Sequence, residues 1–378
     1  MAESGEDGHH RSALMRVMAL LAAGCVCASC LSHSDGAYAL PPRLLIAEGI
    51  DGPAYAIAYG TNGRTHDTLT VRDARGIVSS LESDARTGHC LMLPPLDAGG
   101  PYSLELNSGW IGSLSIPQAG RPLVLAFVGD THYGALTSNP IQRSRLLNSI
   151  AASGCHGFYL LGDMVNESSK RGQWQDAARE MSIRLEGIPS ASILGNHDEI
   201  GGGSAAWRRL LYPALPEGRD YFIHRWPGAR VIGLRLTGGI KGWNSRQEAW
   251  LRARLAEERG NNILIVLAHS FFYSSGIPGW HDDPEAIAAL CPIFEEYGVD
   301  LVLSGHNHYM ELLRAGGVAY ALIGTGGGRP DPEPTFQSPA STWFLRKVFG
   351  WLEVTVENGE ARLAFKDAEG RTLREESL

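Results

Sequence analysis

The chain has 378 residues, a net charge of −8, 44% hydrophobic and 20% charged residues. This is the composition of a folded globular protein, and the length fits one large catalytic domain with a smaller partner. The acidic balance argues against a general nucleic-acid binder, which needs a basic stripe.

The first 39 residues read as a leader. Arg11 and Arg16 precede an apolar run from Val17 to Leu31, and a short polar stretch leads to Ala37-Tyr38-Ala39. A positive start, a short apolar run and an A-x-A site describe a signal peptide, and the run is short for a membrane span. Met15 is an alternative start. Leu21-Ala22-Ala23-Gly24-Cys25 resembles a bacterial lipobox, with Ala22 where Leu is commoner. Cleavage after Ala39, lipidation of Cys25 as a membrane tether and an uncleaved anchor all stay open. Each implies export to a periplasmic, extracellular or membrane-anchored location. Beyond the leader only Cys90, Cys155 and Cys291 remain. Their odd number and lack of metal spacing read as buried small apolar residues.

Residues 40–118 read as a small all-β domain. Apolar stretches at Leu44–Ala47, Ala54–Tyr59, Leu69–Arg72, Cys90–Leu93, Tyr102–Leu106 and Ile111–Ile116 are separated by Gly, Pro, Asn and Asp turns. Their spacing predicts a β-sandwich. The stretch from Leu96 to Tyr102 resembles the tyrosine corner of fibronectin III domains, without the usual Pro and Thr. Pro117 to Pro122 is a linker.

From residue 122 to 378 the pattern becomes α/β. Apolar strands at Leu123–Val128, Phe158–Leu161, Ala191–Leu194, Ile263–Ala268 and Leu301–Leu303 alternate with predicted helices. The helices are at Ile141–Ala152, Gln173–Leu185, Arg246–Glu258 and Pro284–Tyr297. Uniformly apolar strands belong in sheets covered on both faces. A hairpin, Trp351–Val356 and Ala361–Lys366 around Asn358-Gly359, closes the chain.

Each of the five strands runs into polar residues: Gly129-Asp130-Thr131-His132, Gly162-Asp163, Gly195-Asn196-His197-Asp198, His269, and Ser304-Gly305-His306-Asn307-His308. Sites in α/β sheets form outside the carboxyl ends of strands, so these loops should converge. Carboxylates, an amide and imidazoles without thiolate suit divalent Mn, Fe or Zn. Seven such ligands are too many for one ion.

This ordered set resembles the calcineurin-like metallophosphoesterases, over about residues 122–366. The β-region before it and Gly324-Thr325-Gly326-Gly327-Gly328 resemble purple acid phosphatases. The resemblance implies a four-layer αββα sandwich preceded by the fibronectin III-like domain. It implies two divalent or mixed-valence ions, one held by Asp130, His132, Asp163 and His308 and the other by Asp163, Asn196, His269 and His306, with Asp163 bridging. Such a pair clamps the entering and leaving oxygens of an in-line displacement and supplies hydroxide near neutral pH. His197 would assist the leaving group, and Asp198 would orient His197 or a neighbouring group, or cap a helix. Two features depart from the purple subgroup. Asn166 stands where those enzymes carry an iron-binding Tyr, and His132 has no counterpart in them. Trp243, Trp280 and His281 are further pocket candidates, with Asn166 and His224 behind them. The implied substrate is a small phosphate ester, first a monoester. A phosphodiester, such as a cyclic nucleotide or lipid headgroup, is the alternative on the same core. A non-catalytic scaffold is the alternative of another class, and it should have lost ligands that this chain retains.

Overall fold

The structure is a computed structural model, which describes residues 38–202, 204–258 and 260–378. The leader up to residue 37, Cys25 included, lies outside the described residues. Tyr38 and Ala39 open strand β1 (Tyr38–Ala47). Tyr38 is buried, and its hydroxyl lies 2.6 Å from Ser108 Oγ. Cleavage after Ala39 would remove this packed residue from its strand.

The catalytic region contains the expected strands and helices. Strands β8 (Leu123–Val128), β9 (Gly157–Leu160) and β10 (Ser190–Ser192) are parallel neighbours. On the other side of β8 lies the closing hairpin β18 (Gly350–Glu357) and β19 (Glu360–Asp367). They belong to a nine-stranded sheet. A seven-stranded sheet holds β13 (Ile263–Ala268) and β14 (Leu301–Ser304) side by side in parallel.

The alternation along β13 shows why the molecule is layered. Ile263, Ile265 and Leu267 enter a core shared with the nine-stranded sheet. Leu264, Val266 and Ala268 enter a second core with Leu251 and Leu255 of α4 (Ser245–Glu258) and Leu290 and Phe294 of α5 (Pro284–Tyr297). Successive side chains point to opposite faces of a strand, so a strand apolar at every position needs a layer on each side. Helices α1 (Pro140–Ala152), α2 (Arg171–Arg184) and α3 (Ser204–Leu210) pack with the nine-stranded sheet. The result is a mixed α/β sandwich of two sheets between helices. Helix starts are fixed locally. Asn139 accepts from the Gln142 amide and Asp283 from those of Glu285 and Ala286, each followed by a Pro already set for the first turn.

The β-region differs from the expected separate sandwich. β1, β2 (Ala54–Thr65) and β5 (Arg86–Met92) are not in a sheet of their own; they extend the catalytic sheet, where Leu45 of β1 pairs in parallel with Ser190 of β10. Only β3 (Thr68–Asp73), β4 (Gly76–Glu82), β6 (Pro101–Leu106) and β7 (Ile111–Ser115) form a sheet of their own. The physical reason lies in the burial patterns. The last six residues of β1 are buried without a break, as in strands covered on both faces. β6 and β7 alternate strictly between exposed and buried, as in a sheet with one wet face. Between the two sheets, the Tyr102 hydroxyl donates to the Asp97 carbonyl at 3.1 Å, a tie of the kind the tyrosine-corner resemblance implied. Cys90, Cys155 and Cys291 are free thiols, Cys155 and Cys291 buried and Cys90 partly so.

Candidate metal centre

The five strand-end loops converge, although their strands belong to two different sheets. Leaving a strand sharply strains the backbone. Asp130, His132, Asp163 and His306 have φ of 63°, 45°, 50° and 70°, in the left-handed region that non-glycine residues seldom occupy. Strain of this kind persists where the surroundings over-determine it, commonly at functional sites. Two glycines make room. A Cβ on Gly195 would lie 2.1 Å from Asp163 Oδ1, and one on Gly328 would lie 2.5 Å from His308 Cε1 and 2.8 Å from His132 Cδ2.

All seven expected metal residues meet here, in two groups. In the first, Asp130 Oδ1 is 3.4 Å from His308 Nε2 and 3.8 Å from His132 Nε2. In the second, His269 Nε2 is 3.1 Å from Asn196 Oδ1 and 3.2 Å from His306 Nδ1. One oxygen reaches both groups: Asp163 Oδ2 lies 3.8 Å from His132 Nε2 and 3.4 Å from His269 Nε2.

The outer contacts fix which atoms face inward. His269 Nδ1 lies 2.7 Å from the Leu161 carbonyl and His308 Nδ1 2.7 Å from the Arg329 carbonyl. A carbonyl only accepts, so each Nδ1 carries its proton, and Nε2 is the atom turned toward the centre, offering a lone pair once its own proton is displaced. Those Nε2 atoms meet Asn196 Oδ1, Asp163 Oδ2 and Asp130 Oδ1, and Asp130 Oδ1 is buried without any hydrogen-bond partner. Acceptors converging on acceptors need protons or cations between them, and carbonyl-held imidazoles are the usual outer arrangement of metal ligands.

The electrostatics agree. Burial disfavours the charged form of His269, but the Asp163 and Asp130 carboxylates outweigh it and raise its pKa to about 10. His308 rises against burial to about 9 through Asp130. His306 is lowered to about 4 by burial and by the charge on His269. Opposed by burial, the neighbouring histidines still hold Asp130 and Asp163 below the usual carboxylate range. The donor set therefore fits divalent cations, which displace such protons when they bind.

His197 sits at the edge of this cluster. Its backbone N–H donates to Asp163 Oδ1 at 2.8 Å, its ring meets His132 edge-on at 4.7 Å, and its Nδ1 lies 2.8 Å from the Asn166 carbonyl. For Asp198 the contacts favour orienting a neighbouring group over the other two readings. It makes no hydrogen bond to His197 and caps no α-helix. Fully buried, it accepts from the amides of Met164 and Val165 through Oδ1 and of Gly195 through Oδ2. It thus clamps the loop carrying Asp163 to the loop carrying Asn196, a positioning role. Burial and the nearby Asp163 raise its pKa to about 7.

The weaker candidates separate. Trp280 stacks on His306 at 4.8 Å with planes 19° apart, and it is 44% exposed. His281 packs on Phe336 at 4.5 Å. Trp243 packs against the outer core beneath α4 and α5. Asn166 contributes its carbonyl rather than its side chain. His224 is a core residue held between the Tyr159 and Tyr212 hydroxyls, with its pKa lowered to about 3 by burial. The sequence reading missed Asp331, whose Oδ2 accepts from the His308 amide at 2.6 Å. Its only signal was its place three residues beyond Gly328. The reading also missed the Ser274, Asn307 and Tyr309 cluster beside His306 and His308.

Residues 123–310 match the calcineurin-like phosphoesterase family, and the chain is a metal-dependent phosphoesterase of that family. Its layout is similar to that of purple acid phosphatases. It is 26% identical to tartrate-resistant acid phosphatase type 5 of Oryctolagus cuniculus, over 69% of this chain and 93% of that one. It is 25% identical to purple acid phosphatase 18 of Arabidopsis thaliana, over 80% and 72%. The fold is similar to that of purple acid phosphatase PPD1 from yellow lupin (Lupinus luteus) seeds, with a TM-score of 0.75 and 14% identity over 89% of this chain and 73% of that one.

Proposed function

We propose that the chain hydrolyses phosphate monoesters at two metal ions, held by Asp130, His132, Asp163 and His308 and by Asp163, Asn196, His269 and His306. The observation that carries this reading is the single oxygen, Asp163 Oδ2, within reach of both imidazole groups. The kinship with acid phosphatases supports the monoester as substrate. When bound, two divalent ions polarise a phosphoryl oxygen and supply nucleophilic water near neutral pH. The protein's own residues do the rest. The Asn166 carbonyl holds the Nδ1 proton of His197, so the ring acts as an acid from its imidazolium form: Nε2–H hands its proton to the leaving oxygen and the ring is left neutral with its proton on Nδ1. Asp198 keeps the loops of Asp163 and Asn196 in register. The exposed face of Trp280, fixed against His306, offers a flat wall to an ester group.

The decisive assay compares phosphate release from p-nitrophenyl phosphate and from its bis ester. Faster turnover of the monoester supports the reading, and preference for the bis ester replaces it with phosphodiester hydrolysis. Chelation should abolish turnover, and Fe, Mn or Zn should restore it. No phenolate stands at Asn166, so the iron-loaded protein should lack the intense visible band of a phenolate–iron centre.

Export belongs to the same proposal. Lipidation at Cys25 would keep the buried Tyr38 on the mature chain, whereas cleavage after Ala39 would not. Mass spectrometry of the mature N-terminus decides between them.

A further inference from the structure

A second place buries charge, at the β1–β2–β5 edge of the nine-stranded sheet. A cavity of about 440 Å³ opens there between that edge and helices α2 and α3, and no residue of the metal centre lines it. Four arginines do, Arg43, Arg86, Arg171 and Arg209, and no carboxylate. Arg43 is the telling one. It is 6% exposed. Its Nη2 donates to the carbonyls of Leu210 and, at 3.0 Å, Leu211, at the end of α3. Capping those carbonyls uses one of its three nitrogens. Among the described residues, Nε and Nη1 are buried without a hydrogen-bond partner, and no carboxylate pairs with the side chain. Burial lowers its pKa only to about 10, so it is a cation at neutral pH. Arg86 has Asp84 beside it. Arg171 and Arg209 are exposed and form no ion pair among the described residues.

A buried cation with no counter-ion is a costly arrangement, and charged groups in protein interiors are ordinarily paired. Three unpaired guanidinium groups around one cavity call for an anion of more than one charge. Guanidinium geometry suits phosphoryl oxygens. Leu40, Leu210 and Pro213 on the wall, together with a volume in the range of ligand pockets, leave room for a short apolar body. We propose that this cavity is a second anion site, which holds a phosphoryl group on Arg43, Arg171 and Arg209, apart from the metal centre. The proposal does not rest on the hydrolytic reading.

Calorimetric titration of the metal-loaded protein with inorganic phosphate and with phenylphosphonate, which cannot be hydrolysed, tests it. Two phosphoryl sites per chain are expected, one at the metals and one here. The double variant R171A/R209A should weaken one site at least about tenfold, since charge-assisted hydrogen bonds are lost, and leave p-nitrophenyl phosphate turnover unchanged. In Asp163→Ala, phenylphosphonate should still raise Tm by mass action; adding R171A/R209A should remove that rise. Tighter binding of phenylphosphonate than of phosphate identifies an organic phosphate as the ligand, and equal binding identifies the free anion. A single site in the wild type that R171A/R209A leaves unaltered, or two sites unaltered in that variant, overturns the proposal. An inactive enzyme that still shows the arginine-dependent site would sink only the hydrolytic reading.

Discussion

The nine-stranded sheet buries charge in two places, and they differ in sign. At the carboxyl ends of β8, β9 and β10, carboxylates and imidazole lone pairs converge, and Asp130 Oδ1 is left without a donor. At the β1–β2–β5 edge, guanidinium groups gather and Arg43 is left without an acceptor for two of its nitrogens. In both places the unpaired atom specifies its missing partner, a cation in the first and an anion in the second. The backbone differs as well. The acidic centre is built on strained left-handed residues, whereas Arg43 sits within a strand, where regular pairing resumes after a register shift that begins at Leu40. Groups that must meet several metals at fixed points require unusual loops; a diffuse positive wall does not.

The contrast can be broken by substitution. Asp163→Ala should have the largest effect. It removes the shared oxygen, so phosphate release should fall beyond about 10³-fold, more than the usual loss from deleting one transition-state donor, and metal content should drop with it. Retention of both ions in that variant would mean the two groups do not share Asp163.

His197→Ala should come next. General acid help is typically worth about 10²–10⁴-fold, and the loss should be greater for an alkyl phosphate than for p-nitrophenyl phosphate, whose leaving group needs less assistance. Metal content should stay near normal, as measured alongside single-turnover rates. An equal slowing of both esters with loss of metal would make His197 a ligand instead.

Asp198→Ala tests positioning apart from chemistry. It orphans three buried amides, so stability should fall by about 3 kcal/mol or more at roughly 1–3 kcal/mol each. Metal affinity should weaken, while the relative rates on alkyl and aryl esters stay as in the wild type. A changed leaving-group dependence would place Asp198 in the chemistry. The smallest effect is expected at Tyr102→Phe. Losing its bond to Asp97 should cost about 1 kcal/mol in urea titration, without altering turnover or anion binding.

The sequence by itself determined which residues gather at the candidate centre. Asp130, His132, Asp163, Asn196, His197, His269, His306 and His308 each follow an apolar strand, and their short-range order carries both the chemistry and the expected convergence. It also determined the layered α/β core, because strands apolar at every position demand cover on both faces. Asp198 was legible as a site residue with an orienting role among its readings, but not in its partners, since the amides of Met164 and Val165 that it holds are over thirty residues away in the chain. Asp331 was invisible as a neighbour of His308 for the same reason, and Trp280 was legible as a pocket candidate but not as the ring stacked on His306. Which strands belonged to which sheet was decided only by tertiary structure. The runs Leu44–Ala47 in β1 and Ala54–Tyr59 in β2 are as apolar as a catalytic strand, yet apolar runs at close spacing fit a sandwich equally well. Pairing between Leu45 and Ser190 joins residues far apart in sequence, and no local pattern encodes that. The arginine cavity is of the same kind. Arg43, Arg171 and Arg209 are scattered, unremarkable cations along the chain, and only the packing of α2 and α3 against that sheet edge brings them to one wall and denies Arg43 the water that would otherwise satisfy it.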